Sequence, residues 1–166
     1  MFTPGMHGPI GLQPPSDNPV RVTVRGAAMA VGDVLAFDLV ISDSAVTNLT
    51  PGSETSGWSN VRAPSAAEVL GNDPTVFCVC TEAAADDAKG SVLVLGYVDA
   101  FVIAASGSVA IGSDLIVTTA KNFDLVEAAG ETIAAIGNEA VTSPTARTLG
   151  NVYVFGYVGL YNTEAA

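Results

Sequence analysis

The chain is predicted to be all-β, a compact barrel or sandwich of short strands, β-tulip-like, with one short helix and an extended N-terminal arm. Three observations predict it. Val92–Phe101 (VLVLGYVDAF) and Val152–Tyr161 (VYVFGYVGLY) repeat one strand-like pattern. Shorter alternating or apolar runs, rich in β-branched residues, recur with turn residues between them every 8 to 12 residues or so. A helix signal occurs once. The 166 residues suit one domain, and with 49% apolar residues a core needs no metal or disulfide support.

Residues 1–19 hold five prolines and little that could build a core. They read as an extended arm, because each proline removes a backbone donor and fixes φ. Two readings stand for it, a free tail or a strap across a neighbouring subunit anchored by Phe2, Met6, Ile10 and Leu12. The single β domain, 20–166, opens with VRVTVR from Val20, and VLAFDLVI from Val34 follows. From about 42 to 60 the text is polar and turn-rich around the single Trp58, which predicts a long surface loop. Trp58 reads as a lid over the barrel end or as a contact residue. Ser65 three residues before Glu68 is a capping-box spacing, and Gly71 ends that helix within two turns.

TVFCVCT, Thr75 to Thr81, reads as a strand, with an acidic turn from Glu82 to Gly90 before the first long repeat strand. Brief strands then run from Ser106 to Thr142. AVGDVLAF at Ala30–Phe37 has a cousin in AIGSDLIV at Ala110–Val117, and with the two long strands this points to a weakly duplicated sheet motif. In the last strand Val152, Val154, Val158 and Leu160 face one way, and Tyr153, Phe155, Tyr157 and Tyr161 the other. Neither face suits water. One fills a core, and the other needs a cover from the same subunit or from a partner. The aromatic set divides evenly between stacked core and intersubunit patch.

Composition and spacing argue against most chemistry. Six Lys or Arg against seventeen Asp or Glu, net charge -11, disfavour nucleic acid and anionic lipid as direct partners. Cys78 and Cys80 share a strand face and read as small buried residues, and His7 alone cannot complete a zinc site with them. No disulfide framework, signal peptide or membrane span is expected, which suggests a soluble protein made in a reducing cytoplasm. His7 lies in the arm, where nothing packs it as a catalytic base. Gly107 and Gly112 have phosphate-loop spacing, but Ser113 and Asp114 stand where lysine and a hydroxyl residue are required. Asp99, Asp114, Asp124, Glu127 and Glu131 are the candidates for a paired-acid site, and most sit at turns. The expectation is no catalytic residue, no cofactor and no metal.

The stretch from Thr75 to Thr142, with its acidic Ala-rich turn ending in Gly90, long apolar strand and Gly-Ser-Asp strand entry, resembles the head decoration, or capsid cement, proteins of tailed bacteriophages. The resemblance implies a non-enzymatic virion protein on the outer surface of a capsid, commonly a homotrimer, whose partners are itself and a major capsid protein. The arm and Trp58, with the aromatic face of Tyr153, Phe155, Tyr157 and Tyr161, are then the expected contacts. A phage tail or fibre-base protein, a carbohydrate-binding β module and a paired-acid hydrolase are the competing readings.

Overall fold

A computed structural model describes residues 19–37, 60–70, 75–104, 107–126, 131–142, 144–155 and 160–161. Phe2, Met6, Ile10, Leu12, Trp58 and Tyr157, expected above as contact residues, lie outside them. The strands are β1 (Val20–Gly26), β2 (Val34–Phe37), β3 (Asn60–Arg62), β4 (Phe77–Glu82), β5 (Gly90–Val102), β6 (Asp114–Val117), β7 (Phe123–Leu125), β8 (Thr132–Gly137), β9 (Thr148–Val154) and β10 (Leu160–Tyr161), with one helix, α1 (Ala66–Val69). The fold is all-β, as the alternation requires.

The hydrogen-bonded pairs close two rings. In the first, β1 pairs β3, β3 pairs β2, β2 pairs β4, β4 pairs β5, and β5 returns to β1. In the second, β5 pairs β7, β7 pairs β6, β6 pairs β8, β8 pairs β9, and β9 returns to β5. Closure satisfies strand edges that would otherwise recruit other chains. Each ring contains one parallel pair, β1–β3 and β5–β7, in the same place.

The rings are copies of one another at the level of single bonds. Met29 and Ala84 exchange two backbone bonds in the first, and Val109 and Val141 in the second. Gly32 donates to Cys80, and Gly112 donates to Gly137. At the strand entry the Asp33 carboxylate accepts from the Ala30 N–H at 3.0 Å, and the Ser113 hydroxyl accepts from the Ala110 N–H at 3.0 Å. The AVGD and AIGS phrases are thus the same turn built twice, with glycine at φ +91° and +86°. Glycine takes this conformation without the Cβ penalty.

β5 belongs to both rings. Residues 90–95 pair with β1 and β4, and residues 96–102 with β9 and β7. Gly96, at φ +121°, lies at the hand-over. Val92 joins the first core with Val24, Leu35, Phe37, Val61, Cys78 and Cys80. Its neighbour Leu93 points the opposite way, into the cluster that holds Ala100, Leu115, Val117, Phe123, Val152 and Val154. Both are fully buried. The double-faced apolar pattern in the first half of this strand therefore needs no partner chain; the subunit's second ring supplies the cover. Burying a leucine side chain contributes about 1.5–3 kcal/mol, so moving one face into solvent would be costly.

Across the outer wall of the first ring, Val34, Val79 and Leu93 stand side by side on β2, β4 and β5, each fully buried in the cluster shared with the second ring. A polar clamp fixes this joint. The buried Asp33 side chain, 6% exposed, sits between the Arg147 guanidinium and the Lys121 ammonium, the latter at 3.8 Å. Arg147 also donates to the Lys121 carbonyl at 3.1 Å and lies 4.0 Å above the Phe101 ring. Backbone bonds from Phe101 to Gly32 and from Val34 to Lys121 complete it.

The remaining elements follow their local signals, with one addition. The Ser65–Glu68 capping box is present, as Ser65 Oγ accepts from the Glu68 N–H and Glu68 Oε2 accepts from the Ser65 N–H. The buried Glu68 carboxylate also takes both Arg62 guanidinium nitrogens, at 2.7 and 2.8 Å. Asn60, Val61 and Arg62, at the end of the stretch read as a surface loop, form β3, a strand the sequence did not announce. Three residues are too few to show alternation, and only pairing with β1 and β2 makes them a strand. The rest of that loop lies outside the described residues.

Candidate functional site

The outer wall of the second ring is formed by the residues of β5, β8 and β9 that alternate with core positions. Val98, Ala100, Val152 and Val154 point inward, so Tyr97, Asp99, Asn151 and Tyr153 point outward. Tyr97 and Tyr153 are directly opposite in the register, and so are Asp99 and Asn151. The Tyr97 and Tyr153 rings meet edge to face, with centroids 4.8 Å apart, and Phe155 continues the row at 6.1 Å from Tyr153. Ile136 of β8 flanks Tyr153 on the other side.

This aromatic row is incompletely covered. Tyr97 is 41% exposed, and Tyr153, Phe155 and Ile136 are half-buried. Beside it runs a polar row. Asn151 donates to Asp99 at 2.9 Å, Asn138 donates to Asn151 at 2.8 Å, and the Asn151 N–H donates to Glu139 at 3.1 Å. Each amide is held by its neighbour, so the row presents a fixed set of donors and acceptors. An aromatic centre with a hydrogen-bonding border is the usual composition of a contact surface.

The structure brings Tyr153 and Phe155 together, as alternation requires. The Tyr161 backbone pairs with Thr132 of β8. Tyr97 was missed. It follows the glycine of the first repeat strand as Tyr157 follows that of the second, but only the β5–β9 register puts it against Tyr153. The paired-acid candidates are dispersed in role. Asp99 accepts from Asn151 on the outer wall, Asp114 is exposed at the start of β6, and Asp124 accepts from the Leu125 N–H. Glu127 lies outside the described residues. Among those residues no three His, Cys, Asp or Glu groups are placed to hold a metal ion, and no helix is long and apolar enough to cross a membrane.

Cys78 and Cys80 are free thiols inside the first core. Burial pushes both up. The Cys80 thiol reaches about 11, with the hydrogen bond to the Glu82 carbonyl opposing the rise, and Cys78 goes higher still. At neutral pH the thiolate, the reactive form, is scarce on both. Native protein at pH 8 is expected to resist iodoacetamide, and denatured protein to take two labels; rapid labelling of the native state, read by intact mass, would show the first ring to be open.

The chain matches no protein-family model and no curated protein sequence.

Proposed function

We propose that the protein is a non-enzymatic decoration protein that binds the outer surface of a tailed-bacteriophage capsid and stabilises it by bridging shell subunits. The half-exposed row of Tyr97, Tyr153 and Phe155 on the wall of a rigid double ring carries this reading. Two closed rings sharing a strand make a stiff body, and a stiff body loses little entropy when it docks. The charge of -11 keeps it soluble while it displays apolar surface. Several weak contacts made at once across a repeating lattice would add up to firm attachment. The resemblance of residues 75–142 to capsid cement proteins supports the same reading.

The test is sedimentation with empty shells assembled from the major capsid protein of the same genome. The protein is expected to pellet with shells, and Tyr97→Ser with Tyr153→Ser is expected to weaken this about tenfold to a hundredfold, the range for losing two aromatic contacts. Protein left in the supernatant with intact shells would overturn the reading. Labelling confined to tails would support a tail component instead.

A carbohydrate-binding module is the second reading, favoured by aromatics beside amides and a carboxylate on one strand face. It ranks below the first because the Tyr97 and Tyr153 planes are inclined at 65°, which is not a flat stacking platform. Binding to a glycan array, lost in the same double variant, would reverse the order.

A further inference from the structure

The aromatic wall has the shape of a groove for an extended, proline-rich segment. The Tyr97 and Tyr153 planes are inclined at 65° and the Tyr153 and Phe155 planes at 70°, so the rings stand as ridges with slots between them. A flat sugar finds no platform there. A pyrrolidine ring does find a slot, and aromatic-lined grooves are where proline-rich segments dock, their conformation being set before binding. Such a segment makes no internal hydrogen bonds, so its carbonyls need donors outside it. The polar row beside the aromatics has them. The side-chain amide nitrogens of Asn138 and Asn151 each carry two N–H groups and each gives one to a neighbour, at 2.8 and 2.9 Å, which leaves the other for a carbonyl.

The chain delivers a segment of this kind to this place. β1 runs antiparallel to β5 with Val20 opposite Leu95, so the residues before Val20 lead toward Gly96 and Tyr97. Pro19 is there already: a Cβ at Gly96 would lie 3.3 Å from the Pro19 Cα, and Tyr97 is the next residue. Pro19 and Val20 are both exposed, so the chain leaves the body at the edge of the wall. Upstream stand Pro14 and Pro15. At about 3.1 Å per residue, Pro15 lies about 12 Å from Pro19 in an extended segment. The row from Tyr97 through Tyr153 to Phe155 has centroid steps of 4.8 and 6.1 Å. The two lengths agree. Residues 1–19 also hold a single charged side chain, Asp17, so the segment meets little repulsion on a protein of net charge -11.

We propose that residues 14–19 dock on the chain's own wall of Tyr97, Tyr153 and Phe155 and shield that row until a partner displaces them. This rests on the reading of the row as a contact surface and adds its regulation, since any partner that needs the row must compete with the arm. An arm that covers the row about nine-tenths of the time lowers the apparent affinity of such a partner about tenfold.

The test begins without shells, with nuclear Overhauser spectroscopy on the full 16.8 kDa chain. Contacts are expected between the ring protons of Pro14 or Pro15 and those of Tyr97 or Tyr153, unchanged on dilution. Pro14→Ser with Pro15→Ser should abolish them, and because both positions precede β1 the circular dichroism of the body should stay unchanged. With empty shells, the same variant should bind about tenfold tighter than wild type. Absence of the contacts in wild type would overturn the proposal. So would contacts that fade on dilution as a dimer dissociates, because the occupant would then be the arm of a second copy, and so would a proline variant that binds shells no tighter. Contacts that persist in a chain that ignores shells would leave the arm docked and sink the decoration reading instead.

Discussion

Gly26→Ala is expected to remove at least about 3 kcal/mol of stability, an effect at the upper end for one methyl group. A Cβ at this position would lie 1.9 Å from the Val61 carbonyl oxygen and 2.9 Å from its carbon. Both are backbone atoms of β3, which is paired on its other side to β2, so neither can step aside without opening the ring. The glycine is also at φ +141°, where a side chain is strained. Gly107→Ala is the control, since Gly107 has φ +110° with nothing within 4 Å of an added Cβ. It should cost only the conformational term, about 1–3 kcal/mol. Urea unfolding of the two variants separates clash from strain; equal losses would mean that β1 and β3 do not approach as described. The matching position in the second ring is Val102, which carries a side chain in the same register with Phe123. The glycine requirement thus belongs to this crossing and not to the repeat.

Asp33 is expected to give the second large effect, and the duplication supplies its own control. Asp33→Ala removes the acceptor for the Ala30 N–H and leaves Arg147 and Lys121 without their shared carboxylate. Asp33→Ser keeps a turn acceptor, as Ser113 does naturally in the second ring, and loses only the charge pairing. The alanine variant should lose about 2–4 kcal/mol, below the full cost of breaking a buried ion pair, because the Arg147 and Lys121 side chains remain 38% and 25% exposed and keep some hydration. The serine variant should lose about 1 kcal/mol less, the ordinary value of one hydrogen bond. Identical denaturation midpoints for the two variants would show that the turn bond contributes nothing.

Legibility followed the range of the interactions. Alternation around Val20–Val24 marks β1, the continuous apolar run Phe77–Cys80 marks β4, and the Ser65–Glu68 spacing marks α1, because each signal lies within a few residues. The shared face of Cys78 and Cys80 and the AVGD and AIGS turn phrases were legible for the same reason. β3 was not, since three residues hold no period. Tyr97 was missed although its repeat partner was named, because membership of the aromatic row depends on which residue of β9 lies opposite.

The sequence by itself determined that strands dominate, that one motif occurs twice, and that β5 is apolar on both faces, since these rest on side-chain period and composition. Tertiary structure alone decided how that second face is covered. Register and ring closure join residues far apart in the chain, and they turned what reads as surplus apolar surface on β5 into the seam between two rings, leaving the aromatic wall of β5 and β9 partly exposed among the described residues.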